Sequence, residues 1–170
     1  MTSRRAIRVW LAAFGLAGVL AAATAPARAE EGSELAVSVG SYDIAKTKST
    51  EAGVEYRLRS RAWGLVPALG AAVTEDGAFW GYGGLRRPFR VGPGWRLTPG
   101  FAVALYEEGS TGKDLGGPIE FRSSLELSRR FAGGSSLGLA VYHLSHAGIY
   151  DDNPGSNSVV LSWAFPLAVR

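Results

Sequence analysis

The 170-residue chain contains no cysteine, so no disulfide scaffold holds its fold together. No segment beyond the first thirty residues shows a long apolar run. No segment shows a convincing helical repeat of apolar side chains either. These absences exclude a disulfide framework and leave short strands, separated by glycine, proline and charged turns, as the elements of the fold.

The N-terminal segment 1–29 has the features of a cleaved export signal. Three arginines open it, an apolar run follows over residues 9–23, and residues 27–29 read Ala-Arg-Ala before Glu30. An uncleaved transmembrane helix is the alternative interpretation. The run is shorter than the roughly 20 residues that span a bilayer, and it ends at a processing site. We therefore expect a signal peptide over 1–29.

The net charge of the chain depends on this leader. Removing it takes four of the 18 basic residues and none of the 15 acidic ones. The mature chain is therefore close to neutral, and the basic balance of the full sequence gives no reason to expect a nucleic-acid partner. About 140 residues remain, enough for one domain.

Two segments, 52–59 and 119–127, alternate between apolar and polar side chains, as a strand does when its two faces meet different surroundings. Their apolar faces hold Val54, Tyr56, Leu58, Ile119, Phe121, Leu125 and Leu127. Their polar faces hold Glu55, Arg57, Arg59, Glu120, Arg122 and Glu126. Because the polar faces carry both signs of charge, we expect these groups to pair inside a narrow barrel.

Eight strands are predicted. They lie near residues 34–44, 49–60, 63–74, 78–90, 94–107, 117–131, 135–147 and 156–167. Several reach about ten residues, the length that a tilted strand needs to cross a bilayer. The sequence predicts an all-β fold, an eight-stranded antiparallel transmembrane β-barrel over residues 30–170.

A soluble periplasmic barrel or sandwich is the alternative, because it shows the same alternation with its faces reversed. The C-terminus favours that alternative, since outer-membrane barrels usually end in an aromatic residue and Phe165 is the last one here. The positions of the aromatic residues favour the transmembrane barrel. We expect interface girdles from Trp63, Trp80, Tyr82, Trp95 and Trp163.

The segment Val141 to Ile149 holds both histidines of the chain. Residues two apart in a strand share a face, so His143 and Ser145 stand side by side while His146 points the other way. The two histidines are therefore not placed to share one metal. A base beside a hydroxyl is the minimal arrangement of an activated serine nucleophile, and the apolar face around it indicates a hydrophobic substrate. A hydrogen-bonded structural histidine is the alternative.

Two short strings, followed by a last apolar strand, resemble the lipid A 3-O-deacylases (PagL-like proteins) of Gram-negative outer membranes: His143-x-Ser145-x-Ala147-Gly148 and Asn153-Pro154-Gly155. The resemblance is densest over residues 139–166. It implies an outer-membrane esterase that removes an ester-linked acyl chain from lipid A, with Ser145 as nucleophile and His143 as base. It also implies an oxyanion hole formed by the Gly148 backbone N–H and the Asn153 amide. A plain turn is the alternative for residues 153–155.

The chain departs from the family pattern at two positions. His146 stands where the family often has asparagine. The family's orienting glutamate, fourteen residues after the histidine, corresponds to Asn157. An asparagine can hold the imidazole tautomer through its carbonyl, but it cannot stabilise the imidazolium as a carboxylate does. Asp151 or Asp152 could supply that charge from the loop.

This mechanism requires no metal and no cofactor. The expected partners are lipid A of lipopolysaccharide and the outer-membrane bilayer, and the sequence leaves a homodimer open. Two other functions also stay open: a catalytically silent barrel with a structural or lipid-binding role, and a soluble periplasmic carrier with a lipid inside an eight-stranded barrel.

Overall fold

The computed structural model describes residues 32–46, 48–109 and 112–167, so the predicted signal peptide lies outside the described residues. The strands are β1 (Glu34–Tyr42), β2 (Ser49–Arg57), β3 (Val66–Thr74), β4 (Phe79–Arg86), β5 (Phe89–Gly92), β6 (Trp95–Glu107), β7 (Ile119–Arg130), β8 (Ser136–Ser145) and β9 (Ser156–Pro166). A 3₁₀ turn spans Ala62–Gly64. Within the described ranges, no helix has the length and apolar character needed to cross a bilayer.

Consecutive strands pair antiparallel, except that β4 and β5 do not pair with each other, and β1 pairs with β9 to close the sheet. Strands β4 and β5 both pair with β6 in one continuous register, with Arg86 opposite Gly100 and Phe89 opposite Leu97. They form one barrel strand that is interrupted at Pro88, which has no N–H to donate. The fold is therefore a closed antiparallel barrel of eight strands, as the sequence predicts.

The connection between β2 and β3 differs from the prediction. Strand β2 ends at Arg57 and β3 begins at Val66, because the chain between them turns through left-handed backbone at Trp63 and Gly64, with φ of 62° and 72°. Arg59 therefore lies beyond the strand and is exposed. The prediction that Arg59 faces the lumen was wrong.

The outer face of the barrel is apolar and exposed. Val54, Tyr56 and Leu127 expose between 40% and 45% of their surface, whereas Glu55 and Glu126 on the opposite faces are buried. Soluble monomers rarely expose contiguous apolar patches of more than a few hundred Å², and here the apolar face continues around the sheet. This inverted pattern is that of a transmembrane barrel.

Four charged side chains form mutual ion pairs in the lumen. Arg57 pairs with Glu55 at 2.7 Å and with Glu126 at 2.8 Å. Arg86 pairs with the same two glutamates at 2.6 Å and 3.1 Å. We call this set the ion-pair ring. The predicted pairing of Glu55, Arg57 and Glu126 is confirmed, whereas Arg86 was not anticipated.

The rest of the lumen, toward the β6–β7 and β8–β9 loops, is lined by aromatic rings. Arg122 lies over the rings of Tyr82 and Tyr142 at 4.7 Å and 4.1 Å, and Glu120 is fully buried without a hydrogen-bond partner among the described residues. Trp80 is also fully buried. It shares the inward face with Tyr82, so the prediction that these two residues belong to an outward girdle was wrong.

Candidate active site

Three neighbouring strands bring polar side chains together on the outer face of the barrel. In the sheet register His143 of β8 lies opposite Asn157 of β9 and opposite Ser123 of β7. Residues directly opposite each other in an antiparallel pair project from the same face, and Ser145 shares that face from two positions along β8. We call Ser123, His143, Ser145 and Asn157 the polar patch.

His143 and Asn157 are joined by a hydrogen bond. The Nδ1 atom of His143 lies 3.0 Å from Oδ1 of Asn157. A carbonyl oxygen only accepts, so Nδ1–H donates and the neutral ring keeps Nε2 free of a proton. This is the tautomer that a general base needs, since Nε2 can then accept a proton from a serine hydroxyl. Both side chains are exposed on the outer face.

The other edge of the His143 ring faces the backbone of Gly155. A Cβ built on Gly155 would lie 2.9 Å from Cε1 and 3.3 Å from Nε2 of His143. Gly155 also has a φ of +56°, a region that side chains other than glycine disfavour. From the sequence, no role beyond a turn was expected for Gly155 itself. The structure shows that this glycine leaves room for the imidazole.

A tight turn reverses the chain directly after Ser145. Ala147 and Gly148 have φ of 54° and 85°, and Ile149 N–H donates to the His146 carbonyl at 3.1 Å. Two consecutive left-handed residues closed by this bond define a type I′ turn. Alanine is disfavoured in this conformation, and backbone strain of this kind clusters at functional sites. The turn leaves Gly148 exposed at the edge of the polar patch.

The remaining predicted site residues lie in the same loop, 146–155. Asn153, Asp151 and Asp152 are all exposed. The contact that Asp152 makes with His146 is through its backbone carbonyl, which accepts from His146 Nε2–H at 2.5 Å. The loop therefore carries both predicted oxyanion donors, Gly148 and Asn153, on one short segment.

His146 points into the barrel and is fully buried, as the strand alternation predicts. Its Nδ1 accepts from the Tyr150 N–H at 3.2 Å, and its ring meets the Tyr150 ring edge-on at 5.0 Å between centroids. These contacts of His146 stabilise the loop 146–155, which follows the polar patch in the chain. The His146 side chain lies on the opposite side of the sheet from that of His143.

Ser123 is the member of the polar patch that sequence reasoning missed. It is exposed, and it lies on β7 across from His143. The sequence shows an isolated serine in an apolar row, but the register that places it beside the histidine appears only in the folded sheet. Its neighbours are apolar: Phe121 lies opposite Ser145 and stacks on Phe101 at 5.8 Å.

A closed eight-stranded antiparallel barrel with an apolar outer face has the architecture of an outer-membrane β-barrel. A family model described as lipid A 3-O-deacylase (PagL) matches residues 50–166, more than half of the chain. The chain therefore belongs to the lipid A 3-O-deacylase (PagL) family.

Among solved structures, the crystal structure of the outer membrane enzyme PagL matches with a TM-score of 0.63 at 20% sequence identity. The match covers 79% of this chain and 99% of that one. At this identity the likeness concerns the fold. Comparison with curated proteins gave no match.

Proposed function

We propose that this protein removes an ester-linked acyl chain from lipid A, with Ser145 as the nucleophile and His143 as the general base. Membership of the deacylase family supports the reaction. The observation that carries the assignment of residues is the His143–Asn157 hydrogen bond of 3.0 Å, because it leaves Nε2 as the acceptor on the face that Ser145 shares.

In the proposed reaction, the Ser145 hydroxyl attacks the acyl carbonyl carbon as His143 Nε2 takes its proton. The oxyanion that forms accepts hydrogen bonds from the Gly148 N–H and the Asn153 amide. The intermediate then collapses, and the imidazolium gives its proton to the departing sugar oxygen. Water, deprotonated by the same imidazole, then attacks the carbonyl carbon of the acyl-serine, and the imidazolium returns its proton to the Ser145 oxygen as the fatty acid leaves.

The position of the polar patch suits a lipid substrate. The patch faces outward, at the end of β8 and the start of β9, where the two longest loops of the barrel lie. Bacterial barrels carry their longer loops on the extracellular side, so the site would open into the outer leaflet, which holds lipid A. The stacked pair Phe101 and Phe121 gives the acyl chain an apolar surface beside Ser145.

A catalytically silent barrel is the second candidate, and the observation that favours it is Asn157. An amide fixes the tautomer but adds no negative charge next to the developing imidazolium. We expect the protein to be active at a reduced rate. The soluble carrier has no comparable support, since the outer face is apolar around the barrel.

Mass spectrometry of lipid A from cells with and without this protein tests the proposal. We expect loss of one ester-linked acyl chain in cells that produce the wild-type protein. Cells that produce the Ser145→Ala variant, folded and present at the same level in outer membranes, should keep intact lipid A. Intact lipid A in both would support the silent barrel.

A further inference from the structure

A largely buried lysine side chain joins three loops beside the candidate active site. Lys113, in the loop between β6 and β7, donates from Nζ to Asp43 Oδ1 at 2.9 Å and to the carbonyl oxygen of Gly155. The side chain of Lys113 is 10% exposed and that of Asp43 1%. The Tyr106 hydroxyl donates to the Lys113 carbonyl at 2.7 Å, which anchors the lysine backbone to β6.

The two partners of Lys113 both adjoin the first residues of β9. Gly155 packs against the His143 ring. On the other side, Ile44, which follows Asp43, donates its N–H to the carbonyl of Asn157 at 2.9 Å. The Asp43–Lys113 pair therefore holds the β9 start both at Gly155 and at Asn157. We call these contacts the Lys113 clamp.

The chemistry of the Gly155 carbonyl explains why a lysine is needed. Gly155 precedes β9, which begins at Ser156, so its carbonyl has no place in the strand ladder and needs another donor when buried. Lysine offers three donors on a flexible stem. The Asp43 carboxylate balances its charge, which would otherwise be costly to bury.

We propose that Lys113 is a positioning residue for catalysis, which acts by fixing Gly155 and Asn157 around the His143 imidazole. This role rests on the proposed function. The hydrogen bonds described for Lys113 join it to Tyr106, Asp43 and Gly155, so it acts through the loops and takes no part in proton transfer. Loss of the clamp would let the β9 start move, and the His143–Asn157 hydrogen bond would weaken. A shift of about 1 Å in a catalytic group can cost on the order of a hundredfold in rate.

The test compares Lys113→Met with Lys46→Met, since Lys46 is an exposed lysine at the same end of the barrel. We expect kcat to fall about ten- to a hundredfold in Lys113→Met while KM changes little, because the substrate-binding face is untouched. Lys46→Met should match the wild type. Lys113→Arg, which keeps a charged donor, should recover part of the rate.

A second readout does not require activity. The chain has two histidines, and their hydrogen bonds imply opposite tautomers, with the proton on Nδ1 in His143 and on Nε2 in His146. In ¹⁵N spectra of the histidine-labelled protein, Lys113→Met should convert the His143 signals to a mixture of tautomers and leave those of His146 unchanged.

If Lys113→Met does not fold, as judged by heat-modifiable gel migration, the Asp43→Asn/Lys113→Met double variant replaces it, because no lone carboxylate is then buried. An unchanged kcat together with unchanged His143 signals would overturn the clamp. If the wild type has no esterase activity, the proposed function fails, and the His143 signals alone decide whether the clamp exists.

Discussion

The ion-pair ring inside the barrel and the polar patch on its outer face both place polar groups in an apolar protein, but in opposite ways. In the ring, two arginines and two glutamates satisfy one another, are buried and carry no net charge. In the patch, four polar side chains lie on the apolar outer face. Among the described residues, the hydrogen bond between His143 and Asn157 is the one that joins two of them.

This difference separates stability from function. A buried ion pair with all partners present is tolerated, and removal of one partner leaves a charge stranded in a low-dielectric interior. The patch has the reverse character, since an imidazole nitrogen and two serine hydroxyls remain available to a substrate. Changes in the ring should therefore alter stability, and changes in the patch should alter catalysis.

The largest effect is expected from Ser145→Ala or His143→Ala. Each should lower ester hydrolysis by about a thousandfold or more, because members of a nucleophile–base unit fail together. Heat-modifiable migration should stay normal, since neither side chain holds the barrel closed. Ser123→Ala is the matched control on the facing strand and should keep most of the activity. If Ser145→Ala keeps its activity and Ser123→Ala loses it, the assignment of Ser145 as nucleophile is wrong.

The next effect is on stability and concerns the ring. Glu126→Gln keeps the size of the side chain but leaves Arg86 with Glu55 alone, and Arg57 with Glu55 and the more distant Glu34 at 3.8 Å. We expect the free energy of unfolding in vesicles to fall by about 3 kcal/mol or more, with kcat of the folded protein unchanged. The control is Glu75→Gln at an exposed loop position. Equal stability of the two variants would mean that the ring does not hold the barrel.

A smaller effect is expected at Asn157. Asn157→Ala should lower the rate, and Asn157→Glu should raise it by about tenfold or more, because a carboxylate stabilises the imidazolium that forms as Ser145 attacks. Asp151→Asn and Asp152→Asn should change little, since both carboxylates are exposed in the loop. If Asp151→Asn or Asp152→Asn lowers the rate and Asn157→Glu does not raise it, the loop already supplies the negative charge next to His143.

The smallest perturbation is a spin label on the outer face. Labels at Val54 and Leu127 should report hydrocarbon, and a label at Arg59, beyond the end of β2, should report water. Power-saturation measurements with oxygen and a polar relaxation agent distinguish the two environments. Water-like accessibility at Val54 would contradict the membrane barrel.

Strand alternation in segments such as 52–57 and 119–127, together with the number and length of the predicted strands, was enough to predict the barrel. The family resemblance pointed to Asn157, fourteen residues after His143, and the β8–β9 register places the two residues opposite each other. The turn at Trp63 was not predictable, because tryptophan gives no sign of left-handed backbone. Arg59 was misplaced for that reason.

Other features depend on pairing between distant strands. Arg86 lies in a glycine-rich segment without clear alternation, so its place in the ion-pair ring was hidden. Ser123 became a neighbour of His143 only through the β7–β8 register. Lys113 reads as a loop residue in the sequence, and its contacts with Asp43 and Gly155 join positions 70 and 42 residues apart.

The most direct test of the central claim is covalent trapping of the nucleophile. The purified barrel would be treated with a fluorophosphonate that carries a long alkyl chain and then analysed by intact-protein and peptide mass spectrometry. We predict one adduct, located on Ser145, and its loss in His143→Ala, because the serine reacts only when the imidazole accepts its proton. An adduct on Ser123, or no adduct on a folded wild-type barrel, would contradict the account.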